Sequence, residues 1–357
     1  MKKVFLGLFG LALIFTSCQD DSLSSNDDQS KIDMSDFYVY TEADSDEAGR
    51  MASNPDSKSC YSMVNLNRLL KENPGLEKKM FEIEYATRAT LLRNNNKPGN
   101  GNGNGNGGGP GGGGNGGGGT DPITGVVSIP VYVHVVYSNP QQNISSTQVN
   151  SQITVLNRDF RRTNSDANQT PSEFAGVAAD TEIDFTLAGT FRYSDSRSSW
   201  GTNDAVKTAY PPITPETHMN IWVCNIGGGI LGYAQFPGGP SNTDGIVVSP
   251  QYFGNTGYVA APFDEGRTAT HEVGHYLNLR HIWGDGRCKR DDFVSDTPSS
   301  DRPNYGCPST AYHCRSNDQF MNYMDYTDDA CMNMFSEGQK FRMRAVFAAG
   351  GPREAMY

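Results

Sequence analysis

Between Asn94 and Gly119 the chain passes through 26 residues, of which 15 are glycine and nearly all the others asparagine. Such a stretch has almost no apolar surface to bury and a large backbone entropy to lose, so no packed core forms across it. As a flexible coil it would span about 30 Å end to end. It therefore cuts a 357-residue chain into a short front part and a C-terminal part that must hold the main core. Charge narrows the classes further: 29 Lys and Arg stand against 40 Asp and Glu, a net of −11, which argues against a nucleic-acid-binding surface. No apolar run of 18 residues occurs beyond the extreme N-terminus, so a multi-span membrane protein is excluded as well.

The acidity sits forward. Residues 19–60 hold 11 acidic and 3 basic side chains, net −8, against 29 and 24 over residues 61–357. Residues 19–56, rich in Asp and Ser, read as a disordered acidic tether. Ahead of them, Lys2 and Lys3 precede an apolar run from Val4 to Phe15 and then Thr16, Ser17 and Cys18. This is the order of a secretory signal, and the run is too short for a lasting transmembrane helix. Phe15-Thr-Ser-Cys18 resembles a bacterial lipobox, whose cysteine is lipidated and becomes the new N-terminus. Gln19, Asp20 and Asp21 resemble the acidic tail of surface lipoproteins of Bacteroidetes-type bacteria. That resemblance implies a protein outside the cytoplasm, held at the outer membrane or cell surface only by the lipid on Cys18; plain secretion is the alternative.

From Cys60 to Arg93, residues Leu66, Leu69, Leu70, Leu76, Met80, Ile83 and Tyr85 recur at roughly helical spacing with Pro74-Gly75 between, which predicts two short helices. That piece is too small to fold alone and must pack on something else. After the glycine stretch, Val126–Tyr137 reads as a central strand and Ser146–Arg162 as a helix. Ile183–Tyr193, Met219–Ile226, Leu231–Phe236 and Gly245–Ser249 read as further strands, and Gly266–Asn278 and Ser336–Ala349 as helices. The order predicts an α/β or α+β domain of about 230 residues.

Three of the six histidines fall within eleven residues: His271-Glu272-Val-Gly-His275-Tyr-Leu-Asn278-Leu-Arg-His281. On a helix, positions 271 and 275 lie on one face about 6 Å apart, within reach of one tetrahedral ion. Glu272 points beside that ion, which suits a carboxylate taking a proton from metal-activated water. A continuing helix would turn His281 by about 6 × 100° and carry it about 9 Å away. The helix must therefore break, and Asn278 is the non-glycine residue type that best tolerates a left-handed C-terminal conformation.

At this point the residues resemble the metzincin metalloproteases, whose extended motif carries Gly or Asn at the break, and among them the pappalysin family in its bacterial cytophagalysin branch. Met321-Asn-Tyr-Met324-Asp-Tyr326 resembles the family's Met-turn, and Asp296-Thr-Pro298 is a further family-like element. The resemblance covers residues from about 125 to 350 and the helical piece near Cys60. It implies a metzincin-like domain with a twisted, mostly parallel five-stranded sheet, an active-site helix and a loop-rich C-terminal half. It also implies a zinc endopeptidase acting on proteins or peptides, made as a latent zymogen and working as a monomer. Carried over residue by residue, His271, His275 and His281 ligate zinc, Glu272 is general base and then acid, Met324 floors the ion and Tyr326 stabilises the oxyanion. The layout becomes a signal peptide at 1–18, a tether at 19–56, a propeptide at 57–93, a linker at 94–120 and a catalytic domain at 121–357. Extended substrate would pair with an edge strand, for which Gly232–Phe236 is the candidate; an interior strand is the alternative. Met332 and Met334 hint at an apolar subsite.

Seven cysteines remain to be placed, Cys18 by the lipobox. Cys288, Cys307, Cys314 and Cys331 cluster around the Met-turn, where spacing permits three pairings in an oxidising compartment. The resemblance favours Cys288–Cys314 and Cys307–Cys331. Cys224, in an apolar strand, reads as a buried thiol. The residues from Ser59-Cys60-Tyr-Ser-Met63 onward resemble the propeptide motif of this branch, which implies a cysteine switch with Cys60 on the open zinc position; a plain free cysteine is the alternative. The glycine stretch would then be the hinge that is cut, with Arg88 and Arg93 as exposed cleavage points. Asp291, Asp292, Ser295, Asp296 and Thr297 place hard oxygens on one loop, and Asp292, Ser295 and Thr297 are candidate calcium ligands by resemblance; a solvated acidic loop is the alternative. The rival function is a non-catalytic surface lipoprotein retaining the protease fold. A missing glutamate or histidine would signal it, and none is missing.

Overall fold

The computed structural model describes residues 32–42, 60–95 and 123–357, and the side chains of residues 93–95 are not described. The signal segment with Cys18, most of the acidic stretch, the glycine-rich linker and the Arg93 side chain lie outside the described residues. Residues Met34–Tyr357 cluster into one compact unit.

Strand β1 (Val127–Tyr137) is the centre of the fold, with Val127, Ile129, Val131, Val133 and Val135 fully buried. It pairs in parallel with β2 (Ile183–Ser194) on one side and with β3 (Met219–Val223) on the other. Beyond β3 come β5 (Ile246–Val248), parallel, and β4 (Gly232–Ala234), antiparallel, giving the order β2-β1-β3-β5-β4. The sheet is five-stranded and mostly parallel, as the resemblance implied. Every residue of β3, β4 and β5 is buried, as expected of strands covered on both faces. The Gly232 segment is an edge strand, which settles the alternative left open by the sequence.

Two helices cover one face. α3 (Ser146–Phe160) starts at Ser145, whose hydroxyl accepts the Gln148 N–H at 3.1 Å, and it buries Val149, Leu156 and Phe160 in the main core. α5 (Arg267–Tyr276) packs against α3, β4 and β5 and is buried all the way round. On the other face, Trp200, Val206, Trp222 and Tyr233 form a separate cluster under the short helix α4 (Ala205–Ala209), which the sequence did not reveal. α6 (Glu337–Ala345) opens with a capping box between Ser336 and Gln339. The Asp296 carboxylate adds to that start, accepting from Ser336 Oγ at 2.6 Å and Gly338 N–H at 2.8 Å. The C-terminal half also holds a small hairpin, β6 (Tyr312–His313) with β7 (Ser316–Asn317), and the disulfides Cys288–Cys314 and Cys307–Cys331.

The front part is docked on this domain. Helices α1 (Ser62–Glu72) and α2 (Leu76–Asn95) flank Gly75, whose φ of 97° makes the turn. The second helix runs 20 residues, longer than the short one expected. Met63, Leu66, Leu69, Leu70, Leu76 and Met80 share a core with Val39 and with Phe236 of the main domain. Part of the supposed tether is therefore packed. Tyr38 donates to the carbonyls of Gly284 and Asp291, the guanidinium groups of Arg280 and Arg290 lie 4.4 and 4.1 Å from its ring centre, and its carbonyl accepts from Arg280 at 2.6 Å. Burying Val39 and packing Phe37 and Tyr38 half-buried beside it outweighs the solvation of the neighbouring acids. Arg88 is not an exposed cleavage point either, because it is held by Glu84 at 2.8 Å and Asp36 at 2.6 Å on the body of α2.

Candidate metal centre

The last turn of α5 explains the geometry. Leu279 N–H bonds Gly274 O at 2.9 Å and Asn278 N–H bonds His275 O at 3.0 Å, the paired bonds of a Schellman stop, with Asn278 at φ 75°. The helix breaks at Asn278 for the reason read from the sequence. The reversal turns Leu279 O onto the Nδ1 of His275 at 2.8 Å and brings His281 back beside the first two histidines.

Each imidazole is fixed from behind. His271 Nδ1 bonds Tyr323 O at 2.7 Å, His275 Nδ1 bonds Leu279 O at 2.8 Å and His281 Nδ1 bonds Asp285 Oδ1 at 2.5 Å. All three partners are acceptors, so the ring protons sit on Nδ1 and the Nε2 lone pairs face inward. The Nε2 atoms of His271 and His281 each lie 3.1 Å from that of His275, lone pair against lone pair. A tetrahedral cation with metal–nitrogen distances of about 2.0–2.1 Å separates its nitrogens by roughly 3.3 Å. The donor set therefore fits zinc. Cys60 Sγ completes a buried group of four ligand atoms, all within 4.8 Å of one another.

Glu272 lies beside this centre, 1% exposed. Its Oε2 accepts from Ser62 Oγ at 2.6 Å and from the Cys60 thiol at 3.4 Å. A Cβ at Gly232 would sit 3.0 Å from Glu272 Cγ and Oε1 and from Val247 O, so a larger residue there would crowd the carboxylate. Burial first, and the charge of Glu272 second, raise the Cys60 thiol well above its ordinary range. A dipositive ion at the centre reverses that preference and favours thiolate. Below, Met324 is fully buried, and its sulfur lies where a Cβ on Gly274 would come within 2.3 Å, so the helix needs glycine at that point. Tyr326 is buried among His271, His281 and Trp283, and its hydroxyl donates to Cys60 O at 3.2 Å.

Sequence reasoning placed Gly232 on the candidate edge strand without its contact to Glu272, and it missed Asp285, Ser62 and Trp283, whose ring stacks on His281 with centroids 4.3 Å apart. Of these only Asp285, four residues after a ligand histidine, left a trace in the spacing. Of the candidate calcium residues, the structure brings Asp292 and Thr297 together. Thr297 Oγ donates to the Asp292 carboxylate at 2.8 Å, Ser295 is exposed and Asp296 caps α6. Burial, then the charge of Asp291, push Asp292 well above the usual carboxylate range. Met332 belongs to the main core, and Met334 packs with Phe174 and Met321.

Comparison with known proteins agrees with this geometry. Residues 202–348 match the peptidase M43 family, described as pregnancy-associated plasma protein-A. An extracellular metalloprotease of Arthroderma otae is 30% identical over 239 residues, covering 64% of this chain and 81% of that protein. Extracellular metalloprotease 1 of Coccidioides posadasii is 34% identical over 234 residues, covering 62% and 77%. The structure of mature mirolysin of Tannerella forsythia with a cleaved peptide is 46% identical at a TM-score of 0.64, covering 66% of this chain and 96% of that one.

The chain belongs to the peptidase M43 family. The structure of a promirolysin mutant of the same organism, 38% identical at a TM-score of 0.70, covers 84% of this chain and 97% of its own. The proenzyme thus matches a share of this chain that the mature form does not. This M43 chain is an extracellular zinc endopeptidase made as a zymogen.

Proposed function

We propose that His271, His275 and His281 hold one zinc ion through Nε2, with Glu272 as proton carrier and Tyr326 as oxyanion donor. The observation that carries this is the convergence of three imidazoles, each anchored at Nδ1, with a buried carboxylate one residue along the helix. Bound there, zinc supplies Lewis acidity, polarising the scissile carbonyl and lowering the pKa of water toward about 7. Glu272 takes the proton of the attacking water and delivers it to the departing amine nitrogen. Tyr326 donates to the substrate carbonyl oxygen as negative charge grows on it, as it now donates to the carbonyl of Cys60. Once the residues from Cys60 onward have left it, the edge of β4 receives extended protein or peptide substrates.

Residues 57–93 are the inhibitory prosegment in this reading. Cys60 occupies the fourth ligand position as thiolate, a cysteine switch, and cutting in the 94–120 linker frees the 121–357 domain as a monomer. Two facts support it: Cys60 pairs with Gly232 on the substrate edge, and Ser62 engages both Glu272 and the Ala234 N–H at 2.7 Å. Lipidation of Cys18 tethers the chain to the cell surface, and Cys18→Ala should release it from the membrane fraction. Calcium at the 292–297 loop would have to displace Thr297 from Asp292. A calcium-dependent rise in melting temperature, absent in Asp292→Asn, tests that site.

The central test is Glu272→Ala in the full chain. It should bind about one zinc per chain and, after processing alongside wild type, cleave no casein. Persisting cleavage would remove Glu272 from the mechanism; absence of zinc from the wild type would remove the metal assignment.

A further inference from the structure

Arg68 of α1 reaches out of the prosegment to a group that no step above uses. Its guanidinium bonds Asp204 Oδ2 and, at 2.6 Å, Asn65 Oδ1. Asn65 in turn donates to Ala234 O at 3.0 Å, so the contact with Asp204 is continuous with the contact along the β4 edge. Asp204 is a built acceptor: it stands at the start of α4 with φ 60° and its carboxylate not spent on the helix N–H groups, its side chain is 4% exposed, and its Oδ1 lies 3.0 Å from the fully buried Lys207. Lys207 is shared with the carbonyls of Thr243 and Gly245, at 2.9 and 3.2 Å.

We infer that Asp204 is a specificity determinant of the processed enzyme, receiving the side chain of an arginine or lysine that precedes the scissile bond. This rests on the endopeptidase reading and on β4 as the strand that substrate pairs with. Side chains alternate along β4. Gly232 faces Glu272, so Tyr233 faces the other way, into the cluster with Trp222 and Val247 and with Lys207 Nζ 5.0 Å from its ring. A substrate residue opposite Tyr233 in an antiparallel pair shares that face and is aimed at the Lys207–Asp204 pair. Antiparallel pairing is the more stable sense. It places the residues met on going from Gly232 toward Ala234 on the N-terminal side of the bond beside Glu272. When the prosegment leaves, Asp204 loses Arg68 and keeps only a lysine already shared with two carbonyls. A substrate guanidinium restores the charge-assisted bond that Arg68 makes in the intact chain.

The experiment compares peptides carrying Arg, or its neutral isostere citrulline, at each of the three positions before and the three after one scissile bond. The full chain is processed by limited proteolysis and the processing protease is then inhibited. One position before the bond should favour Arg by about tenfold or more in kcat/KM. Asp204→Asn should bring that ratio close to unity, and Asp204→Glu should retain part of it. If Asp204→Asn does not fold, the double variant Asp204→Asn/Lys207→Met removes the buried charge together with its partner and is read in its place. A ratio near unity at all three preceding positions in wild type, or one that survives loss of the carboxylate, overturns the assignment while leaving the endopeptidase reading intact. Cleavage of no peptide at all overturns both.

Discussion

At the scale of single residues, the site depends on atoms one step behind the ligands. Asp285 fixes the tautomer and aim of His281, so Asp285→Asn, with its ambiguous amide, should weaken zinc binding about 10–100-fold by chelator competition without unfolding the chain. Gly274→Ala sets a methyl against the Met324 sulfur. That overpacking should cost about 1–3 kcal/mol in denaturant unfolding, whereas an alanine at an exposed helix glycine would stabilise. His271, His275, His281 and the break at Asn278 were legible because helix periodicity and left-handed propensity are local rules that a short window of sequence carries. Asp285 and Trp283 were not, since their placement depends on the loop that leaves the Schellman stop, and no period describes that path. Ser62 was equally hidden. Two residues from Cys60 it looks like any helix-start serine, and only the approach of α1 to β4 gives it Glu272 as a partner.

At the scale of elements, strand positions followed from apolar runs, but the order β2-β1-β3-β5-β4 did not, and edge and interior strands read alike when both faces are covered, as with Gly232–Ala234. The docking of α2 was also illegible, because it turns on one long-range pair. Glu84 of α2 and Arg342 of α6 meet at 2.5 Å, both about 3% exposed, while Arg342 Nε holds the carbonyl of Asn278 at 2.9 Å. Burial alone would raise the Glu84 carboxyl, but Arg342 and then Arg88 override it and hold it at about 2 against an ordinary 4.5. The folded value is depressed, so the stabilisation is complete above about pH 4.5 and is lost as pH falls toward 2. Between pH 5 and 2 the full chain should lose more stability than Glu84→Gln does, by a difference on the order of 3 kcal/mol in urea melts. Equal losses would show that Glu84 is not held by Arg342 in solution. At neutral pH, Glu84→Gln leaves Arg342 buried without its counter-charge, so α2 should become the first part of the chain to yield to protease.

For the whole molecule, latency is a matter of local concentration as much as of contacts. The prosegment touches the centre through Cys60 Sγ and through Ser62 on Glu272, and it touches the surrounding domain through Tyr61 N–H on Gly232 O at 3.0 Å and through Glu84 on Arg342. While Asn95 remains covalently joined to Ile123, those contacts compete at an effective concentration of about millimolar. One cut between them leaves every contact in place and changes only that concentration. Cutting alone should therefore not activate a concentrated sample. Activity against a small peptide should appear on dilution, with a midpoint at the dissociation constant of the cut prosegment, and should fall again when purified prosegment is added back. In the proposed switch the Cys60 thiolate is the contact that would use the ion, so Cys60→Ala should move the midpoint to higher concentration by at least tenfold. It should still leave the uncut chain largely latent, because Ser62, the β4 edge and Glu84 are untouched and the tether is intact. Adding Glu84→Gln to Cys60→Ala should then give measurable activity without any cut. Full activity of uncut Cys60→Ala would mean that the sulfur alone closes the site and the other contacts only dock the helices. A cut wild type that is active at every concentration would mean that the prosegment is held by its tether and not by its surface.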